Sequence, residues 1–131
     1  MARLLLITIL FLSSGQAYAE WLLIGGDNEA GMALYVDPGT ISRNGDQVTM
    51  WILYDFKTWQ TKEAGDSFLS VKLRREYDCT KEHTWLLAVT NYWGPMGTGR
   101  RNEGYLDKDH WLAVTPDSMD HDLWEVACGK P

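Results

Sequence analysis

The chain has 131 residues, 12 Lys and Arg against 18 Asp and Glu, and a formal net charge of −6 at pH 7. That length is the size of one domain, and 45% apolar with 12% aromatic residues excludes a disordered chain. An acidic balance with no long basic run excludes nucleic-acid binding as the main activity.

Residues 1–19 read as a signal peptide. Arg3 supplies a positive start, residues 4–12 are apolar apart from Thr8, and Ala17-Tyr18-Ala19 is an A-x-A cleavage site. The apolar run is too short to span a bilayer, which takes about 20 residues. No cysteine follows it to carry a lipid. Cleavage after Ala19 leaves residues 20–131 as a single exported domain, periplasmic or secreted, at a charge of −7 because Arg3 is the only charged residue removed.

Export sets the reading of Cys79 and Cys128. In an oxidising compartment an even pair forms a bridge, and neither residue belongs to a C-x-x-C or haem-attachment motif. Closing so long a loop stabilises by about 4 kcal/mol in the chain-entropy model.

Along the remaining chain, Trp21-Leu22-Leu23-Ile24 predicts a short strand closed by the turn cluster Gly25-Gly26-Asp27-Asn28. A second strand covers 32–37 and stops at Pro38-Gly39, and Asn44-Gly45 marks a tight turn. Residues 47–56 form the longest strand expected, apolar on both faces and therefore central; 57–66 reads as a polar, mobile loop.

Residues 68–79 alternate most cleanly. Leu69, Val71, Leu73, Tyr77 and Cys79 point one way, while Ser70, Lys72, Arg74, Glu76 and Asp78 point to solvent. Arg75 breaks the apolar side, which places it near a sheet end or beside a carboxylate. A further strand covers 83–93, followed by a glycine-rich hairpin loop over 94–104 and a short strand near Tyr105-Leu106.

The helix signal is at the end. Thr115 can cap and Pro116 suits the first helical position. Asp117, Asp120 and Asp122 favour the helix start, Met119, Leu123 and Ala127 stack, and Gly129 terminates. The two cysteines then lie on the apolar face of a strand and at the end of the helix. The fold expected is α+β: an antiparallel sheet of about six strands, with one C-terminal helix packed on one face and tied to a strand by the Cys79–Cys128 disulfide.

No catalytic motif is present, so no catalytic residue is assigned and the protein is read as non-enzymatic. His83, His110 and His121 lack metal-ligand spacing; no metal and no cofactor is expected from the residues. The aromatics outnumber what one core needs. Most are expected in the core, while Trp59, Trp93 and Tyr105, with Arg100 and Arg101 of the glycine-rich loop, are the candidate binding surface.

Four segments carry a family resemblance: Tyr35-Val36-Asp37-Pro38-Gly39-Thr40-Ile41, Val48-Thr49-Met50-Trp51-Ile52-Leu53-Tyr54-Asp55, the run Ser70, Lys72, Glu76-Tyr77-Asp78-Cys79, and Leu123-Trp124 with Ala127-Cys128-Gly129. In this order they resemble the surface-adhesin protein E family of small exported proteins of Gram-negative bacteria. The resemblance implies a six-stranded antiparallel sheet with a C-terminal helix and a disulfide at the matching cysteines. It also implies host or envelope proteins as partners, extracellular-matrix and plasma proteins among them, and a homodimer able to bind haem. Two functions stand at this point: an adhesin-like protein-binding module, and a small-molecule or haem carrier acting as a dimer.

Overall fold

The computed structural model describes residues 20–27, 31–61, 67–103 and 111–129. The expected signal peptide, Tyr105 with its expected strand, and His110 lie outside the described residues. Among the described residues the strands are β1 (Leu22–Asp27), β2 (Met32–Val36), β3 (Ser42–Asn44), β4 (Gln47–Thr61), β5 (Ser67–Asp78), β6 (His83–Tyr92), β7 (Arg101–Glu103) and β8 (Leu112–Ala113), and one α-helix, α1 (Met119–Cys128), follows. They form one antiparallel sheet in the order β1-β2-β4-β5-β6-β7, with β3 beside β4 and β8 beside β6. The expected α+β architecture is observed, with two very short strands added to the six.

β4 and β5 are the centre. Register pairs Val48 with Tyr77, Met50 with Arg75, Ile52 with Leu73 and Tyr54 with Val71, so the alternation seen in each strand falls on one shared face. Leu34, Val36, Val48, Met50, Ile52 and Tyr77 are fully buried on that face. Leu53, whose side chain points to the other face, is fully buried as well, which is what a central strand with apolar residues on both sides requires.

The helix closes the core with Leu123, Trp124, Ala127 and Cys128. Ten residues make a marginal helix in water, so its stability comes from this packing and from the bridge. Cys79 and Cys128 are disulfide-bonded with Cα atoms 5.6 Å apart, and the Trp124 Nε1–H donates to the Asp78 carbonyl at 2.9 Å. Gly129 ends the helix at φ 69°, a left-handed cap whose N–H returns to the Glu125 and Val126 carbonyls.

Several sequence expectations are corrected. The glycines after Ile24 do not end β1; Gly25 and Gly26 pair with Leu34 and Ala33 past a bulge, so the strand runs to Asp27. β4 does not stop at Phe56. Its continuation pairs Gln60 with Phe68 and Thr61 with Ser67, with the Phe68 ring edge-on to Phe56 at 6.0 Å; 62–66 lie outside the described residues. The expected 94–104 loop is not loop throughout: Arg101–Glu103 pairs with β6 as β7.

The helix begins three residues later than Pro116 suggests. Asp117 adopts φ 57°, which no helix continues through, and Ser118 is the cap, accepting the His121 N–H at 3.2 Å. Arg75 is not at a sheet end. It sits mid-strand, opposite Met50 and Leu86, against the Tyr54 hydroxyl, with the charge of Asp120 acting on the same tyrosine. Nor are most tryptophans in the core. Trp124 alone is buried, Trp21, Trp51, Trp85 and Trp111 are half-buried, and Trp59 and Trp93 are exposed. The reason is geometric: a short helix covers part of one face, and a loop covers part of the other.

Candidate functional site

The β6–β7 connection is a built structure. Trp93 N–H donates to the Arg100 carbonyl at 2.8 Å and Gly94 N–H to the Thr98 carbonyl at 2.9 Å, enclosing a 3-10 turn over Pro95–Gly97. The turn folds back over the sheet face opposite the helix. Ser70 Oγ, fully buried, donates to the Gly94 carbonyl at 2.7 Å and accepts the Gly97 N–H at 2.8 Å. Asp55 Oδ1 accepts the Met96 N–H at 2.8 Å. These contacts hold Met96 at φ 54°, a left-handed conformation that costs a non-glycine residue about 1 kcal/mol.

Ser70 and Asp55 are register partners on β5 and β4, so two strands grip one loop. Gly97 is required where it stands: a Cβ there would lie 2.6 Å from Lys72 Cε. The loop is therefore pinned to the sheet by hydrogen bonds, and the outward row of β5 is only partly a solvated face. Lys72 Nζ lies 5.2 Å from the Tyr92 ring centre and 5.9 Å from that of Trp21, within cation–π range of both.

The pinned loop presents Trp93, 44% exposed, with the Arg100 guanidinium 5.0 Å from its ring centre. Arg101 is paired with Tyr92 at the start of β7 and is exposed. Trp59, 55% exposed, sits on the β4–β5 extension. The row Asp55–Ser70–Tyr92–Arg101 crosses the sheet from β4 to β7, and both Trp59 and Trp93 lie beyond it at one end. Sequence reasoning thus selected side chains that the register brings to one end of the molecule. It missed Asp55, Ser70 and Lys72, which position them. A small hydroxyl on an otherwise charged strand face, opposite glycines spaced three and two apart, was the signal available for Ser70.

The two described histidines, His83 and His121, lie elsewhere. His121 Nδ1 is 2.8 Å from Glu125 and Nε2 is 3.5 Å from Glu82, while its ring stacks on Trp124 at 5.8 Å. His121, Asp122 and Glu125, all on α1, could offer three ligand atoms within 4.8 Å of one another. Both ring nitrogens of His121 therefore face carboxylates. His83 is half-buried at the start of β6.

Between sheet and helix start lies a polar group of a different kind. Burial raises the Tyr77 hydroxyl pKa well above its ordinary value, against the opposing pull of the Arg75 guanidinium; the Thr84 hydroxyl beside it offsets less, and neither oxygen reaches hydrogen-bond geometry. Burial also raises Tyr54, with Arg75 again opposing.

The fold is shared with solved structures of Haemophilus influenzae protein E. One crystal form is 19% identical with a TM-score of 0.63, covering 85% of this chain and 97% of that one. A second structure is 17% identical at 0.65, covering 87% of each chain, and protein E from a non-typeable strain is 18% identical at 0.59, covering 87% and 86%. No curated protein sequence matches significantly. Among the described residues no helix is long and apolar enough to cross a membrane. The model of one family, surface-adhesin protein E, matches residues 21–129. The strand register, the disulfide-tied helix and this match over almost the whole length agree: the chain belongs to the surface-adhesin protein E family.

Proposed function

We propose that this protein is an exported, non-enzymatic envelope protein that works as an adhesin-like protein-binding module. Its binding surface is the sheet end carrying Trp59, Trp93, Arg100 and Arg101. The observation that carries the reading is the pinned loop: a buried serine and an aspartate hold the backbone, so an exposed tryptophan and a stacked arginine are presented without further ordering cost. Tryptophan and arginine are the residues that dominate protein interfaces. Family membership supports the same role, and supports export with cleavage after Ala19 to a periplasmic or secreted product.

The test uses residues 20–131 against a panel of immobilised extracellular-matrix and plasma proteins. Trp59→Ala and Trp93→Ala together are expected to weaken capture at least about tenfold, with the melting temperature unchanged because both rings are exposed. Capture that survives the double substitution unchanged overturns the assignment of this surface.

A further inference from the structure

We infer that the partner of this surface presents an acidic polypeptide segment, whose carboxylates are taken in forked fashion by Arg100 and Arg101. The inference rests on the protein-binding reading above and names the chemistry of the partner. Its first support is a charge anomaly. In a chain of net charge −6, the consecutive residues Arg100 and Arg101 are both exposed where β7 begins, and neither forms an ion pair or a carboxylate hydrogen bond among the described residues. Among the described residues, Asp55 accepts the Met96 N–H through Oδ1, and neither it nor Glu103, two residues along β7, makes an ion pair with either arginine.

The second support is preorganisation. Arg100 lies over Trp93, whose backbone N–H is in turn bonded to the Arg100 carbonyl, so ring and guanidinium are coupled through one short piece of backbone. A guanidinium held over an aromatic ring keeps in-plane N–H groups free at its rim, the geometry that matches a carboxylate with two parallel hydrogen bonds. Lys72, held against Tyr92, adds a cation on the face that Arg101 takes, one register row away. The ring of Trp93 has its face occupied by Arg100, which does not suit insertion into a bilayer. That favours a polypeptide over an anionic lipid surface.

Immobilised poly-L-glutamate is the probe, with residues 20–131 in solution at low ionic strength. Binding is expected, with release as salt rises, because the contacts are exposed charges. Arg100→Ala with Arg101→Ala is expected to lower affinity about tenfold or more, and Arg100→Lys with Arg101→Lys to lose most of it, since lysine keeps the charge but not the fork. Unchanged binding in the double alanine variant overturns the inference. So does tighter, arginine-dependent binding to heparin or to phosphatidylglycerol vesicles than to poly-L-glutamate. The same variants on the matrix and plasma protein panel separate the two readings. If the arginine pair is silent there while Trp59→Ala with Trp93→Ala abolishes capture, acidic recognition fails and protein binding by this surface stands; if both pairs are silent, the surface itself is wrong.

Discussion

The two ends of the sheet are secured by different physics. At the helix end, apolar side chains are sealed by a covalent bridge across 49 residues, and the interior admits even a tyrosine hydroxyl that no described residue hydrogen-bonds. At the hairpin end, hydrogen bonds from Ser70 and Asp55 pin one turn and large aromatics remain in water. The first arrangement stabilises the domain as a whole; the second sets the shape of one surface patch. A protein that keeps its core at one end can carry variation at the other, because changing an exposed ring removes little buried area.

Breaking the bridge separates these roles most sharply. Cys79→Ser with Cys128→Ser is expected to lower unfolding free energy by about 4 kcal/mol, read as a lower urea midpoint. Below that midpoint the amides of Met96 and Gly97 keep their protection. Loss of protection at both ends together shows that the loop depends on the helix and removes the distinction.

Alkali tests the buried tyrosines of the core face, Tyr77 above all. The pKa of Tyr77 is raised by burial in the folded state, so below its ordinary value of 10.0 both states hold the proton and the contribution is complete. Above that value the unfolded chain releases the proton first, and stability falls as pH rises toward the folded pKa. Urea midpoints at about pH 9 and about pH 11 are expected to show this decline, and Tyr77→Phe to reduce it. An equal decline in the variant assigns the alkaline loss to another group.

The smallest effect belongs to the hairpin end. Asp55→Ala is expected to cost about 1 kcal/mol, the value of one hydrogen bond to a carboxylate at a partly exposed site, while amide exchange at Met96 accelerates and core amides do not change. Exchange that is unaltered at Met96 shows the turn to be held without the carboxylate.

Period-2 alternation makes β5 legible from its residues alone, because one face must be apolar to be buried and neighbouring residues point opposite ways. The same rule misreads Ser70 and Lys72 as solvated. Alternation reports which face a residue takes, but not whether a distant loop will fold back over it. Helix capping is legible in type but not in place, since Ser118 and Thr115 carry the same chemistry and only the φ of Asp117 distinguishes them. Of the candidate surface, Trp59, Trp93, Arg100 and Arg101 are legible as aromatic and basic residues in excess of what a core uses.

Composition and pattern alone determined an acidic chain, a central pair of strands, a terminal helix and the pairing of its two cysteines. Those follow from local rules: side-chain periodicity, cap chemistry and the even cysteine count. Only the tertiary structure decided which aromatics are wet, that a glycine-rich turn is pinned, and that Trp59 and Trp93 share an end of the sheet. Register between strands distant in sequence fixes these relations, and no local rule encodes register across a chain of this length.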